Sequence, residues 1–147
     1  MARPHILFVQ AQRIPWSRGL AVGLRPEVES KLLSQDDTDG SATCIVRYPA
    51  GWARTAPEHV TTHEEFLVLD GAIEINGRRY DKHCYGFLPA GYPRERAHSP
   101  RGAVLLTMYY GPVGVQAGAS KGFDERRLVE YVNPLLMDWD PGLVDPQ

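Results

Sequence analysis

The dipeptide Asn76-Gly77 stands between two short β-forming segments, residues 72–75 and 78–81. Asn-Gly fits a two-residue hairpin, because both central positions of that turn take positive φ. The rest of the chain is punctuated in a similar way. Fourteen glycines and twelve prolines are spread through 147 residues; their combined share exceeds the average of roughly 12%. Their dispersal reads as turns and not as a linker. Between them lie β-rich runs. Residues 42–48 end at Pro49-Ala50-Gly51, 64–70 run into Gly71, 84–88 into Pro89-Ala90-Gly91, and 103–110 close at Gly111-Pro112. Short strands at this spacing predict an all-β sandwich or barrel.

Outside this region the pattern weakens. Residues 5–9 are predicted as a first strand, and 52–59 as another, with Pro57 placing it at an edge or an end. Residues 10–40 carry turn signals at Ile14-Pro15, Arg25-Pro26 and Asp36-Asp37-Thr38-Asp39-Gly40. Residues 126–132 read as a strand or a short helix, and Leu135, Leu136, Met137 and Trp139 as apolar docking material. The expected organisation is an arm with short strands over 1–40, a core over 41–112, and a tail over 113–147 that packs on the core or on a partner subunit. Edge strands and unpatterned ends lead us to expect a homodimer.

Composition narrows the function classes. Sixteen Lys and Arg against eighteen Asp and Glu leave a net charge of −2, so no basic excess is present to hold a phosphate backbone. Nucleic acid is therefore not an expected partner. The apolar runs, such as Ile6-Leu7-Phe8-Val9, fall far short of the roughly 20 residues of a membrane helix, and no membrane partner is expected either. The first residues lack the long apolar stretch of a signal peptide. Cys44 and Cys84 form neither a disulfide framework nor a CxxC pair, and both read as small buried hydrophobes. These features place the expected chain in the cytoplasm with reduced thiols. No GxSxG, P-loop or GxGxxG motif is present to support acyl-transfer or nucleotide chemistry.

Chemistry-bearing residues concentrate in two stretches. The first, residues 57–71, reads Pro57-Glu58-His59-Val60-Thr61-Thr62-His63-Glu64-Glu65-Phe66 and continues to Gly71. The second runs from Tyr85 through Pro89-Ala90-Gly91-Tyr92-Pro93-Arg94 and is followed by His98. Imidazole with carboxylate is a ligand set for Fe, Mn, Ni or Zn. Parity sets a condition. In one unbroken strand, His59, His63 and Glu65 share a face and Glu64 takes the other. A turn at Thr61-Thr62 resets the parity and lets Glu64 join His59. The spacing alone leaves open whether Glu64 or Glu65 faces the interior. Arg94, pointing inward, would pair with Glu64 or clamp an anionic substrate.

These stretches resemble the two motifs of the cupin superfamily. Glu64, six intervening residues and Gly71 match the first motif, and Pro89-Ala90-Gly91 matches the second. The layout is similar to the single-domain cupins around acetylacetone dioxygenase and to the cupin domain of ChrR-type anti-sigma factors. The resemblance spans roughly residues 41–112 and implies a small double-stranded β-helix, a jelly-roll-like barrel with an N-terminal arm and a C-terminal tail. It further implies a first-row metal held by His59, Glu64 and His98 or His63, with Glu64 and Arg94 in the chemistry. The implied reaction is dioxygenase cleavage of a dicarbonyl or hydroxyaryl ketone. Two positions depart from the motifs. Pro57 stands at the first histidine position, and Arg94, a permanent cation without a lone pair, stands at the histidine of the second motif. The alternative expectation is thus a cupin without metal that binds a small molecule as a sensor or storage module.

Overall fold

The computed structural model describes residues 3–19, 25–120 and 123. Twelve strands run in chain order: β1 (Ser17–Arg18), β2 (Glu29–Gln35), β3 (Ala42–Tyr48), β4 (Trp52–Arg54), β5 (Glu58–Val60), β6 (Glu64–Gly71), β7 (Ile73–Ile75), β8 (Arg78–Tyr80), β9 (Tyr85–Leu88), β10 (Ala97–Ser99), β11 (Ala103–Tyr109) and β12 (Val115–Ala117). The helical content described is one 3-10 turn, Ala11–Arg13. The architecture is the expected all-β jelly roll. A six-stranded sheet has the order β1-β2-β3-β11-β6-β9, a four-stranded sheet the order β4-β10-β7-β8, and β12 pairs with β5. Every named pairing is antiparallel.

The core lies between the two larger sheets. β3 and β11 alternate strictly between buried and half-buried residues, as period-2 strands with one covered face do. Cys44, Val46, Tyr48, Phe66, Val68, Leu105 and Tyr109 from the larger sheet meet Trp52, Ile73, Ile75 and Ala97 from the smaller. Asn76-Gly77 forms the expected hairpin between β7 and β8, with φ of 52° and 81°. Gly71 ends β6 at φ 69°, where a Cβ would lie 2.1 Å from the Gly102 carbonyl oxygen. No other residue fits that crossing of two chains.

Three expectations change at the edges. Residues 5–9 form no strand; they run as an irregular arm with Leu7 88% and Phe8 83% exposed. The alternation expected of a strand has no sheet edge there to pair with. The predicted strand over 52–59 divides into β4 and β5, interrupted before Pro57, which has no N–H to donate. β2, inside the region read as an arm, is a full member of the six-stranded sheet. The features expected over 126–132 and at Leu135, Leu136, Met137 and Trp139 lie outside the described residues.

Candidate functional site

The interior site begins at a break in the chain. β5 stops at Val60, two residues bend, and β6 starts at Glu64. Neither threonine is a turn former, so tertiary contacts impose the bend. Thr61 N–H donates to the Gly114 carbonyl at 2.9 Å, its hydroxyl reaches the Pro112 carbonyl at 3.3 Å, and Tyr110 N–H donates to the His63 carbonyl at 3.1 Å. The segment after β11 thereby holds residues 61–63 out of line. Parity resets, and Glu64, 3% exposed, turns inward. Glu65 faces outward and accepts hydrogen bonds from the Tyr85 and Tyr110 hydroxyls.

Glu64 does not stand alone in the interior. Arg94 Nη2 lies 2.5 Å from Glu64 Oε2, and both side chains are buried. The loop carrying Arg94 is fixed at several points. Arg94 N–H donates to the Glu58 carbonyl at 2.8 Å and Glu58 N–H returns to the Arg94 carbonyl at 3.1 Å. Asn76 clamps the same loop from the hairpin. Its amide nitrogen donates to the Pro93 carbonyl at 2.9 Å, and its amide oxygen accepts from Glu95 N–H at 2.8 Å. Burying a carboxylate without compensation is costly, and this loop supplies the compensating cation.

A second buried pair sits beside the first. Arg25 and Glu58 form an ion pair, and the Arg25 guanidinium lies 5.4 Å from the centre of the Trp52 ring. The four groups Arg25, Glu58, Arg94 and Glu64 sum to zero charge. Nε of Arg94 and both Nε and Nη1 of Arg25 are buried without a partner among the described residues. Sequence reasoning missed Arg25 and Glu58. Glu58 sits inside the motif stretch and carried a signal as a carboxylate beside a predicted inward face. Arg25 precedes a turn proline and carried none.

The pairs act on their neighbours. Burial, then the Glu64 charge, pushes Tyr48 up to about 12 and Cys44 up to about 12. The same causes raise Tyr109 well above the usual phenol range. Burial disfavours the Arg94 charge, but Glu64 outweighs it and holds that guanidinium above its ordinary value. All of these groups stay in their low-pH form at neutral pH, so Cys44 is a thiol and not a nucleophile. Next to them is a cavity of about 460 Å³ lined by Leu32, Gln35, Ala42, Cys44, Tyr109 and Val113, among others. Tyr109 lies opposite Ala42 on one side and Glu64 on the other, so it forms the wall between cavity and ion pair.

The remaining candidates point elsewhere. His59 is buried, and its Nδ1 lies 2.7 Å from the Gly118 carbonyl. A carbonyl only accepts, so Nδ1 carries the proton. Its strand neighbour Glu58 is committed to Arg25, on the opposite side by strand alternation. His63 is exposed; its Nδ1 accepts Ala90 N–H at 2.9 Å and its ring packs on Phe87. His98 sits between the buried Ala97 and Ser99 on β10 and faces outward, 3.4 Å from Glu74.

Residues 5–114 match the family model of the ChrR cupin-like domain. The chain belongs to that family. No curated protein matches it by sequence. Among solved structures it is similar to a candidate acetylacetone dioxygenase from Methylibium petroleiphilum PM1, at 20% identity and TM-score 0.61, with 81% of this chain and 83% of that one covered. An acetylacetone dioxygenase from Acinetobacter johnsonii matches at 17% identity and TM-score 0.59, covering 88% and 92%. The complex of Rhodobacter sphaeroides SigE with the anti-sigma ChrR matches at 17% identity and TM-score 0.51, covering 68% of this chain and 51% of that one. At these identities the likeness establishes the cupin fold.

Within this ChrR cupin-like domain the donors among the described residues do not fit a metal ion. Among the described residues no three His, Cys, Asp or Glu side chains are placed to hold one. The expected ligands are separated: Glu64 is spent on Arg94, His59 turns to Gly118, and His63 and His98 lie on outer surfaces.

Proposed function

We propose that this protein is a cupin that binds a small organic molecule without a metal, in the manner of a sensor or carrier module. The observation that carries this reading is the buried Glu64–Arg94 pair. The guanidinium matches the one carboxylate that the cupin motif would offer a metal, and it has no lone pair of its own to give. The ligand's place in this reading is the cavity bounded by Cys44 and Tyr109, a concave and mostly apolar volume of the kind that takes small molecules.

The dioxygenase reading draws on the acetylacetone dioxygenases among the structural neighbours. It requires Arg94 to release Glu64 and a third donor to turn inward. The positions of His63 and His98 weigh against it. Elemental analysis of untagged protein, grown with added Fe, Mn, Ni and Zn, separates the two. The expected result is a small fraction of one metal per chain and no thermal stabilisation by any of these ions. Near-stoichiometric metal that disappears in His59→Ala overturns the proposal and restores the oxygenase.

A further inference from the structure

The walls of the cavity bounded by Cys44 and Tyr109 constrain what can fill it. Strand register sorts the side chains that turn inward. Ser17 stands opposite Ser30, Leu32 opposite Cys44, and Gln35 opposite Ala42. Arg18 is the one charged residue among the described lining residues. It stands opposite Glu29, whose carboxylate pairs with Arg47 on the outer face of β3. Strand alternation therefore turns the Arg18 guanidinium away from the cavity. The side chains left facing inward are apolar or uncharged, and the Ser30 hydroxyl is already engaged, donating to the Gly19 carbonyl at 2.6 Å.

Tyr109 stands out in this wall. It is 2% exposed, and its hydroxyl makes no hydrogen bond to another described residue; burial and nearby charge alone act on it. The outer tyrosines differ, since Tyr85 and Tyr110 both donate to Glu65. A buried hydroxyl without a partner is costly, so an acceptor belongs beside it. The hydroxyl offers a firmly held proton, because burial and then the Glu64 charge raise the phenol well above its ordinary range. Glu64 is the residue directly opposite on β6. Its charge acts on Tyr109 more strongly than that of Arg94, which opposes it. A second negative charge is therefore disfavoured there. A cation would find no carboxylate among the described lining residues, and Glu64 is already matched by Arg94. Taking either kind of charge out of water without a partner is expensive.

Building on the ligand reading above, we propose that this cavity takes an uncharged, largely apolar molecule whose acceptor oxygen receives a hydrogen bond from the Tyr109 hydroxyl. The apolar body lies against Leu32, Ala42 and Val113.

Four probes with a common ring test this on the full chain: methyl benzoate, propylbenzene, benzoate and benzylammonium. Each is titrated at neutral pH to about 5 mM and followed by the methyl NMR signals of Leu32, Ala42 and Val113. Methyl benzoate is expected to shift all three residues and to bind at least about tenfold tighter than either charged probe. Tyr109→Phe keeps the ring and removes the hydroxyl. It should weaken methyl benzoate about fivefold, the effect of one uncharged hydrogen bond, and should not weaken propylbenzene. Benzoate or benzylammonium bound as tightly as the ester overturns the uncharged ligand and leaves a small-molecule-binding cupin in place. Equal effects of Tyr109→Phe on ester and hydrocarbon overturn the role of Tyr109 in the same way. No shift with any probe overturns the cavity as the ligand's place, and the proposed function loses its site as well. The comparison of charges needs only the native chain, and none of these outcomes depends on metal content.

Discussion

Glu64 and Glu65 are consecutive residues of one strand, yet they meet different physics. Glu64 is inside the fold, where its charge is matched by one guanidinium on a loop clamped by Asn76. Glu65 is outside, held by two tyrosine hydroxyls that water can replace. Two unit charges about 4 Å apart interact by roughly 1 kcal/mol in water and by about 4 kcal/mol at the effective dielectric of a protein surface. The pleat alone decides which carboxylate lives under which rule. A bend of two threonines decides the pleat.

The largest expected effect breaks the inner pair. Arg94→Met leaves Glu64 buried and unmatched, and should cost about 3–5 kcal/mol in urea unfolding. Removing both charges, in Glu64→Met with Arg94→Met, should restore most of that loss, because a buried pair is often no better than well-packed apolar residues. A single variant that costs under about 1 kcal/mol would put Glu64 in contact with water and erase the contrast with Glu65.

The interior also predicts alkaline sensitivity. Tyr48 and Cys44 are both pushed up to about 12 in the folded chain. In the unfolded chain they ionise near their ordinary values of 10.0 and 9.0. The folded state therefore holds protons that the unfolded state releases. The stability linked to these groups is fully present below about pH 9 and is lost as pH rises toward 12. Tyr48 alone accounts for roughly 3 kcal/mol of that slope. Urea midpoints measured from pH 8 to 11.5 should fall steadily. Tyr48→Phe should flatten the fall, and an unchanged slope would show that burial and the Glu64 charge do not raise Tyr48 in the folded chain.

The loop that supplies Arg94 gives a smaller test. Asn76→Ala removes the side-chain hydrogen bonds that clamp residues 92–96 and places alanine at a φ of 52°. A loss of about 2 kcal/mol is expected. Adding Asn76→Ala to the charge-free double variant should cost less than adding it to the native chain, because the loop then has no guanidinium to position. Equal costs would mean that Asn76 serves the hairpin and not the ion pair.

What could be read in advance follows from how local each cause is. Asn76-Gly77 and Gly71 announce their turns, because the φ they need is a property of the residue itself. Glu64 facing inward was implied by the motif resemblance but not legible in the spacing, since the bend at Thr61-Thr62 is imposed by carbonyls of residues 112 and 114, some fifty positions away. Arg94 could be named as the residue displacing a histidine, and its pairing with Glu64 was one of two open readings. Arg25 was invisible because its partner, Glu58, is 33 residues distant and no periodicity links them. His98 was misplaced as an inward candidate: the short strand β10 gives it outward parity between Ala97 and Ser99. The arm was misread because residues 5–9 have the composition of a strand and no neighbour on their own chain to pair with.

The smallest effect sharpens the comparison from the outer side. Glu65→Gln keeps an acceptor oxygen for one tyrosine and removes the charge, so it should cost about 1 kcal/mol or less. Glu64→Gln, the same chemical change one residue earlier, strands the Arg94 charge inside and should cost several times more. A spectroscopic reading accompanies the outer variant. The Tyr110 phenol is raised first by its hydrogen bond to Glu65, and the same bond, after burial, raises Tyr85. Loss of the carboxylate should bring both back toward ordinary phenols, seen as earlier ionisation in an ultraviolet titration. The expected result is a shifted tyrosine titration with little change in the urea midpoint. If Glu65→Gln and Glu64→Gln cost the same, the carboxylates share one environment, and the Glu64–Arg94 pair is no more interior than its neighbour.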